Sequence, residues 1–217
     1  MLSMRNYITA KEWLKARESY IGGSDAAAIL GLNPWKSNVD LWEEKTGRKK
    51  PKDLSDNALV QFGHDAEALI RGLFKLDFPT LKVFYVENNM FVNDDFPWAH
   101  ASLDGWLEDT ETNRKGVLEI KTASITSHAQ AQKWKNKIPD NYYCQILHYL
   151  MVTGFDFAVL KARLKYDIDG EISVSTKHYI INREDCTDDI EYLREAEKRF
   201  VEYIKADECP ALVLPQI

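Results

Sequence analysis

Asp104, Glu119 and Lys121 stand in two stretches otherwise rich in apolar residues, "SLDGWLED" and "KGVLEIKTAS". In an extended strand the side-chain period is two, so Glu119 and Lys121 share a face with Val117, while Leu118 and Ile120 point to the other. Two strands joined by a turn bring Asp104 against Glu119, and paired carboxylates make a hard oxygen site suited to Mg²⁺ or Mn²⁺. A metal held there polarises a phosphoryl oxygen and acidifies a bound water, and an adjacent lysine orients or deprotonates that water and offsets charge in the transition state. That chemistry suits phosphodiester hydrolysis. Taken alone, a Glu-x-Lys strand is more often a solvated face or a cross-strand ion pair. The apolar flanks favour a strand buried on at least one side, where an unpaired carboxylate is costly.

The elements that must position these residues read as follows. "TAKEWLKARES" has Thr9 at an N-cap position with Glu12 three residues on, a capping-box pattern that starts a helix. "YIGGSDAAAILGLNPW" passes two glycines and a Ser-Asp cap into a short helix, and "SNVDLWEEKTG" is a third helix capped by Ser37 and stopped at Gly47. The basic, Pro-containing "GRKKPKDLSD" reads as a mobile loop. A long helix follows, with Leu59, Phe62, Ala66, Leu69, Ile70, Leu73 and Phe74 at helical spacing. "LKVFYVENNMFVND" alternates like a hairpin with an Asn-Asn turn, and "AHASLDGWLED" and "KGVLEIKTAS" read as two further strands joined by a polar turn near Thr110 to Lys115. "SHAQAQKWKNKIPDNYYCQILHYLMVTG" is helical except at the Ile138-Pro139-Asp140 break. Two strands and a final amphipathic helix complete the chain. The expected order is a helical first third, a strand-rich middle and a helical end, an α/β fold with a central mixed sheet flanked by helices.

The 217 residues suffice for one sizeable core and are short for two, so a single domain over residues 1–217 is expected, its N-terminal helical part of about 55 residues packed on the core. Apolar residues at 45% and charged residues at 29% place the chain among folded globular proteins. No apolar run is long enough for a membrane helix and the start lacks a signal-peptide pattern, which points to a cytoplasmic protein without a membrane partner. Three scattered cysteines, Cys144, Cys186 and Cys209, suggest neither a disulfide framework nor a metal-binding CxxC pair. His64, His100, His128, His148 and His178 lack HxH or HExxH spacing, which argues against zinc, and His148 reads as a satisfied helix residue. The net charge of −6 does not advertise a nucleic-acid binder. Cations nevertheless cluster in "KTGRKKPK" and "KWKNK", so a basic groove on an acidic chain remains open.

Asp104, fourteen intervening residues and then Glu119-Ile120-Lys121 resemble the D-x(n)-E-x-K signature of PD-(D/E)xK nucleases, with Leu103 in place of the proline. "RESYIGGSDAAAILGLNPW", Glu67 in "FGHDAEALI" and the Q-x-x-x-Y pair of "QILHY" stand around it in an order similar to that of the YqaJ-like viral recombinase family, relatives of the phage lambda exonuclease. The resemblance implies a PD-(D/E)xK restriction-endonuclease-like core. It implies that Asp104, Glu119 and the Ile120 carbonyl ligate Mg²⁺, with Mn²⁺ substituting, that Glu67 adds a carboxylate, and that Lys121 contacts the scissile phosphate and attacking water. It places Arg17, Ser24, Ser102, Gln145 and Tyr149 at a phosphate and DNA pocket selective for a 5′ end. The implied activity is exonucleolytic digestion of duplex DNA from 5′ ends, leaving 3′ overhangs for phage-type recombination in a bacterial or phage-infected cell. The implied partners are double-stranded DNA ends, a single-strand annealing protein and two further copies in a ring-shaped homotrimer, where only the inner surface need be basic. A structure-specific endonuclease of the same superfamily and a non-catalytic DNA-end binding module are the alternatives.

Overall fold

In the computed structural model, which describes residues 1–54 and 56–214, the chain opens on a strand, β1 (Leu2–Asn6), where the sequence suggested only helix. The strand carries no buried alternation; its cross-strand ladder to a later strand, Leu2 opposite Asn93 through Asn6 opposite Asn89, holds it extended. Helix α1 (Ala10–Glu18) starts at the expected capping box, the Thr9 hydroxyl accepting from the Glu12 N–H while the Glu12 carboxylate accepts from the Thr9 N–H. Helix α2 (Gly23–Ile29) is capped by Gly22 and not by Ser24, because the Asp25 carboxylate turns back onto the Gly22 N–H. Helix α3 (Asn38–Lys45) begins at Ser37 as expected. Residues 50–54 adopt no helix or strand.

Helix α4 (Ala58–Asp77) buries Ala66, Ile70 and Phe74, while Leu59, Phe62, Leu69 and Leu73 of the same apolar set are exposed. Strands β2 (Leu81–Phe84) and β3 (Asn89–Asn93) do not form the expected hairpin. Asn88 does turn the chain in the left-handed region, at φ 55°, but it sends β3 to β1 and leaves β2 to pair elsewhere. Then come β4 (His100–Ala101), β5 (Gly105–Asp109), β6 (Lys115–Ile125), α5 (His128–Gln132), α6 (Asp140–Thr153), β7 (Phe157–Ile168), β8 (Glu171–Asn182) and α7 (Thr187–Ala206).

The main sheet has the order β2-β5-β6-β7-β8. All its pairs are antiparallel except β6 with β7, which the α5–α6 crossover makes parallel. The smaller sheet is β1-β3-β4. The period-two reading of β6 holds: Leu118 and Ile120 pack under α4 with Leu107 and Val159, while Val117 joins Ile146, Leu147 and Leu150 on the α6 side. Helix α6 is enclosed, ten of its fourteen residues being buried. Among the described residues, no helix is long and apolar enough to cross a membrane.

Candidate active site

Strand β6 is longer than its neighbour. β5 pairs only with residues 115–118, from Glu108 opposite Lys115 to Gly105 opposite Leu118, so the β6 edge beyond Leu118 lacks a β5 partner. Asp104, the residue just before β5, fills the first step of that gap: its carboxylate accepts from the Ile120 N–H at 2.8 Å. The N–H and C=O of one strand residue point to the same side, so the Ile120 carbonyl also faces the gap. Glu119 is 1% exposed and pairs through Oε1 with the Lys121 ammonium at 2.6 Å. Its Oε2 is buried without a hydrogen-bond partner. Lys121 lies 5.1 Å from the centre of the Tyr142 ring.

Glu67 arrives from α4, which covers the opposite face of the sheet. Arg71, one helical turn on, holds the Glu67 carboxylate and donates from Nε to the Asp104 carbonyl at 2.6 Å. The three carboxylates repel one another. Burial and Asp104 push Glu119 up to about 8, burial and Asp104 push Glu67 up to about 7, and burial raises Asp104 itself. Burial opposes the charge of Lys121, but Glu119 and Asp104 outweigh it and its pKa is raised, so it remains an ammonium.

Three acids forced toward neutrality around a buried, unpartnered oxygen are a donor set that a divalent cation relieves. Among the described residues no group of three or more His, Cys, Asp or Glu side chains stands ready-made for a metal. The fit therefore rests on Asp104, Glu119 and the Ile120 carbonyl, with Glu67 held nearby by Arg71.

Of the phosphate candidates, Gln145 and Tyr149 lie nearest this centre. Gln145 and Tyr149 are buried on α6, and Gln145 Nε2 donates to the Tyr149 hydroxyl at 2.7 Å. Burial, Glu119 and Asp104 raise the Tyr149 pKa far above that of a free phenol, which places the hydroxyl within the field of the carboxylates. Gly23 leans on the pair so closely that a Cβ there would stand 2.5 Å from the Tyr149 ring. Arg17 packs its guanidinium 4.1 Å from the Trp13 ring centre, with Nε 3.5 Å from His100 Nε2, and makes no ion pair among the described residues. Burial lowers its pKa, and Tyr149 and Asp25 partly offset that. The Ser102 Oγ is buried and unpartnered. Ser24 is exposed at the second position of α2, so it contributes no cap. Three of the five cations of "KTGRKKPK" are paired: Lys45 with Asp25, Arg48 with Asp207 and Lys49 with Asp40.

Two groups went unread in the sequence. Arg71 follows Glu67 at the i,i+4 spacing of a helical ion pair, which could have revealed it. The other is a fully buried relay behind the pocket. His148 Nδ1 stands 2.6 Å from Glu197 Oε1 on α7, its Nε2 stands 2.8 Å from the His100 carbonyl, and Trp98 Nε1 donates to Glu197 Oε2 at 3.2 Å. Both ring nitrogens face acceptors, an arrangement that favours the imidazolium; burial opposes that charge, and Glu197 outweighs it and raises the pKa.

A five-stranded mixed sheet flanked by helices is the architecture of a PD-(D/E)xK-type fold. An alkaline exonuclease from Laribacter hongkongensis shares it at TM-score 0.63 and 18% identity, over 91% of this chain and 94% of that one. A phage related exonuclease from Haemophilus somnus 129PT is similar at TM-score 0.52 and 15% identity, over 87% and 96%. Residues 12–156 match the YqaJ-like viral recombinase domain, and the chain belongs to that family. The uncharacterized protein YqaJ of Bacillus subtilis is 31% identical over 158 residues, 72% of this chain and 46% of that protein. Protein D345L of African swine fever virus is 28% identical over 152 residues, 62% of this chain and 43% of that protein. The chain thus spans a little under half the length of these curated relatives.

Proposed function

We propose that this chain is a divalent-metal-dependent deoxyribonuclease that digests one strand of duplex DNA from a 5′ end and leaves a 3′ overhang for phage-type recombination. The observation that carries the reading is the gap beside β6, where Asp104, Glu119 and the Ile120 carbonyl converge next to the Lys121 ammonium. The exonuclease names borne by the structural neighbours support it.

Asp104, Glu119 and the Ile120 carbonyl would hold Mg²⁺, with Mn²⁺ substituting, and Glu67 would complete or extend the ligand set. The ion supplies a Lewis acid for the phosphoryl oxygen and an acidified water. Lys121, beside Glu119 and Asp104, would contact the scissile phosphate and the attacking water and offset charge as the water oxygen adds to phosphorus and the bond to the leaving oxygen breaks; the water's proton passes to solvent and the leaving oxygen takes one up from solvent. The Ile120 N–H holds Oδ2 of the Asp104 carboxylate against the β6 edge.

Arg17 makes no ion pair among the described residues and lies in the field of Tyr149, whose hydroxyl accepts from Gln145; with the buried, unpartnered Ser102 hydroxyl it would hold a terminal phosphate, which a guanidinium fork matches. Ser24 would line its rim. A pocket for a chain end selects exonucleolytic over internal cutting. The whole chain acts as one nuclease domain in the cytoplasm of a bacterial or phage-infected cell. A homotrimer around DNA and an annealing protein that takes up the overhang complete the reading.

The test is incubation of 5′-phosphorylated linear duplex and of closed circular DNA with Mg²⁺ or EDTA. The expected result is Mg²⁺-dependent loss of one strand of the linear form from its 5′ end, with the circle intact. Persistence of the linear form refutes the enzyme, and cutting of the circle makes it an endonuclease.

A further inference from the structure

Glu67 differs from the other two acids of the centre in its partner. Glu119 leaves Oε2 without a hydrogen-bond partner and Asp104 gives one oxygen to the Ile120 N–H, whereas Glu67 is held by a guanidinium that also reaches Asp104. Helix α4 presents Glu67 and Arg71 one turn apart, on the side that runs along β6. Gly63, one turn earlier, marks that side: a Cβ there would stand 3.5 Å from the Thr122 Oγ1. Arg71 closes the ion pair with Glu67 and at the same time donates from Nε to the Asp104 carbonyl at 2.6 Å. Its Cζ lies 3.5 Å from the centre of the Tyr85 ring. Two edges and one face of a planar cation are therefore occupied, which fixes the group. The Arg71 side chain is 11% exposed and that of Glu67 22%, so solvent screens the pair poorly.

We propose that Arg71 competes with the divalent ion for Glu67 and so sets how tightly this centre loads its metal. The inference rests on the nuclease reading above and says when Glu67 joins the ligand set: when the guanidinium lets it go. A carboxylate oxygen committed to an N–H donor offers a poorer lone pair to a cation, and a guanidinium beside the site repels the ion directly. The ligands must be ionised to take up metal. In that state Glu67, Asp104 and Glu119 carry three negative charges against the positive charges of Lys121 and Arg71, which leaves the centre at −1 before an ion arrives. Without Arg71 the centre stands at −2 and one carboxylate is free. Asp104, Glu119 and the Ile120 carbonyl are available in both cases, so Arg71 tunes the affinity and does not create it. Tyr85, 40% exposed, backs the guanidinium with its ring and strengthens the hold on Glu67.

The test is Mn²⁺ binding to the full chain without DNA, followed by the electron paramagnetic resonance signal of the free ion. The variants are Glu67→Gln, Arg71→Met, which keeps an unbranched stem and removes the charge, and the two together. Arg71→Met should tighten Mn²⁺ binding about tenfold or more, the lower end of the ~10–100-fold that groups directly behind metal ligands control. Glu67→Gln should barely move the wild-type affinity, yet should erase most of the gain when added to Arg71→Met. A purely structural arginine gives the opposite sign, because a loosened centre holds its ion less well. Tyr85→Leu, at a half-exposed position, stands in if Arg71→Met does not fold; loss of the ring should tighten Mn²⁺ about two- to fivefold, what one exposed cation–π contact contributes. Weaker or unchanged binding in Arg71→Met, or in Tyr85→Leu where it stands in, overturns the proposal. A loss of about tenfold or more for Glu67→Gln in the wild-type background does the same. Asp104→Asn separates the two readings. Mn²⁺ binding that ignores this change removes the metal centre and the nuclease reading with it, whereas binding abolished by Asp104→Asn but unmoved by Arg71→Met removes only the competition.

Discussion

Glu197→Gln is an isosteric change that removes a single charge at the centre of the buried relay. Both His148 and Glu197 side chains are wholly inaccessible, and their 2.6 Å contact is the ion pair that keeps the ring doubly protonated. With glutamine, one amide oxygen still accepts from His148, but the amide nitrogen then faces Trp98 Nε1–H, donor against donor. The imidazolium also loses its counter-charge. Breaking a buried pair while leaving one charge in place costs ~3–5 kcal/mol; the retained hydrogen bond sets the expectation at the lower end, about 3 kcal/mol. For a chain of this length that lowers Tm by about 6–12 °C. Urea unfolding followed by tryptophan fluorescence at pH 6 should show this loss with an unchanged m-value. The sign with pH is fixed. The His148 pKa is raised from 6.5 in the folded chain, so the pair's contribution is complete below 6.5 and is lost as pH rises through the folded value. The difference between wild type and variant must therefore shrink on the alkaline side. A loss under about 1 kcal/mol at pH 6, or a difference that grows with pH, refutes the ion-pair assignment.

Asp104→Asn and Glu119→Gln should abolish Mg²⁺-dependent digestion in a gel assay while retaining duplex binding by anisotropy; near-normal turnover in either removes the site. Arg17→Ala should lower the ratio of digestion rates on 5′-phosphate over 5′-hydroxyl ends at least tenfold, and an unchanged ratio rejects the pocket. Glu119 and Glu67 are raised to about 8 and about 7, so without metal they destabilise the fold progressively as pH climbs from 4.5 to those values. Mn²⁺ should then raise Tm more at pH 8.5 than at pH 6 in differential scanning calorimetry, and an equal shift at both would contradict ligation by these acids.

The helices were legible where local chemistry closes locally. Thr9 with Glu12, and Ser37 at the start of α3, satisfy orphan N–H groups within one turn, and the structure forms both. The β5–β6 hairpin was legible for the same reason, and with it the approach of Asp104 to the Glu119 strand; the Ile120 N–H that receives Asp104 was not. Strand partners were not. "LKVFYVENNMFVND" shows two strands and a turn, yet which strand each one joins depends on surfaces far away: Phe84 finds Trp106, and Met4 finds Phe91. Glu67 and Arg71 announce their pairing by spacing, whereas His148 and Glu197, 49 residues apart, announce nothing. The exposed half of the α4 apolar set shows the limit of periodicity, which marks a face without saying what covers it.

The enclosure of α6 has a consequence for how the pocket can breathe. Gln145, His148 and Tyr149 ride on a helix buried along most of its length, so its amides can exchange with solvent only when the whole domain opens. Helix α1, which carries Arg17, has no buried residue and is tied down by the Trp13 indole N–H donating to the Asn89 carbonyl. On the proposed reading a DNA end would enter by movement of α1 over a fixed α6, and hydrogen exchange should show α6 more protected than α1.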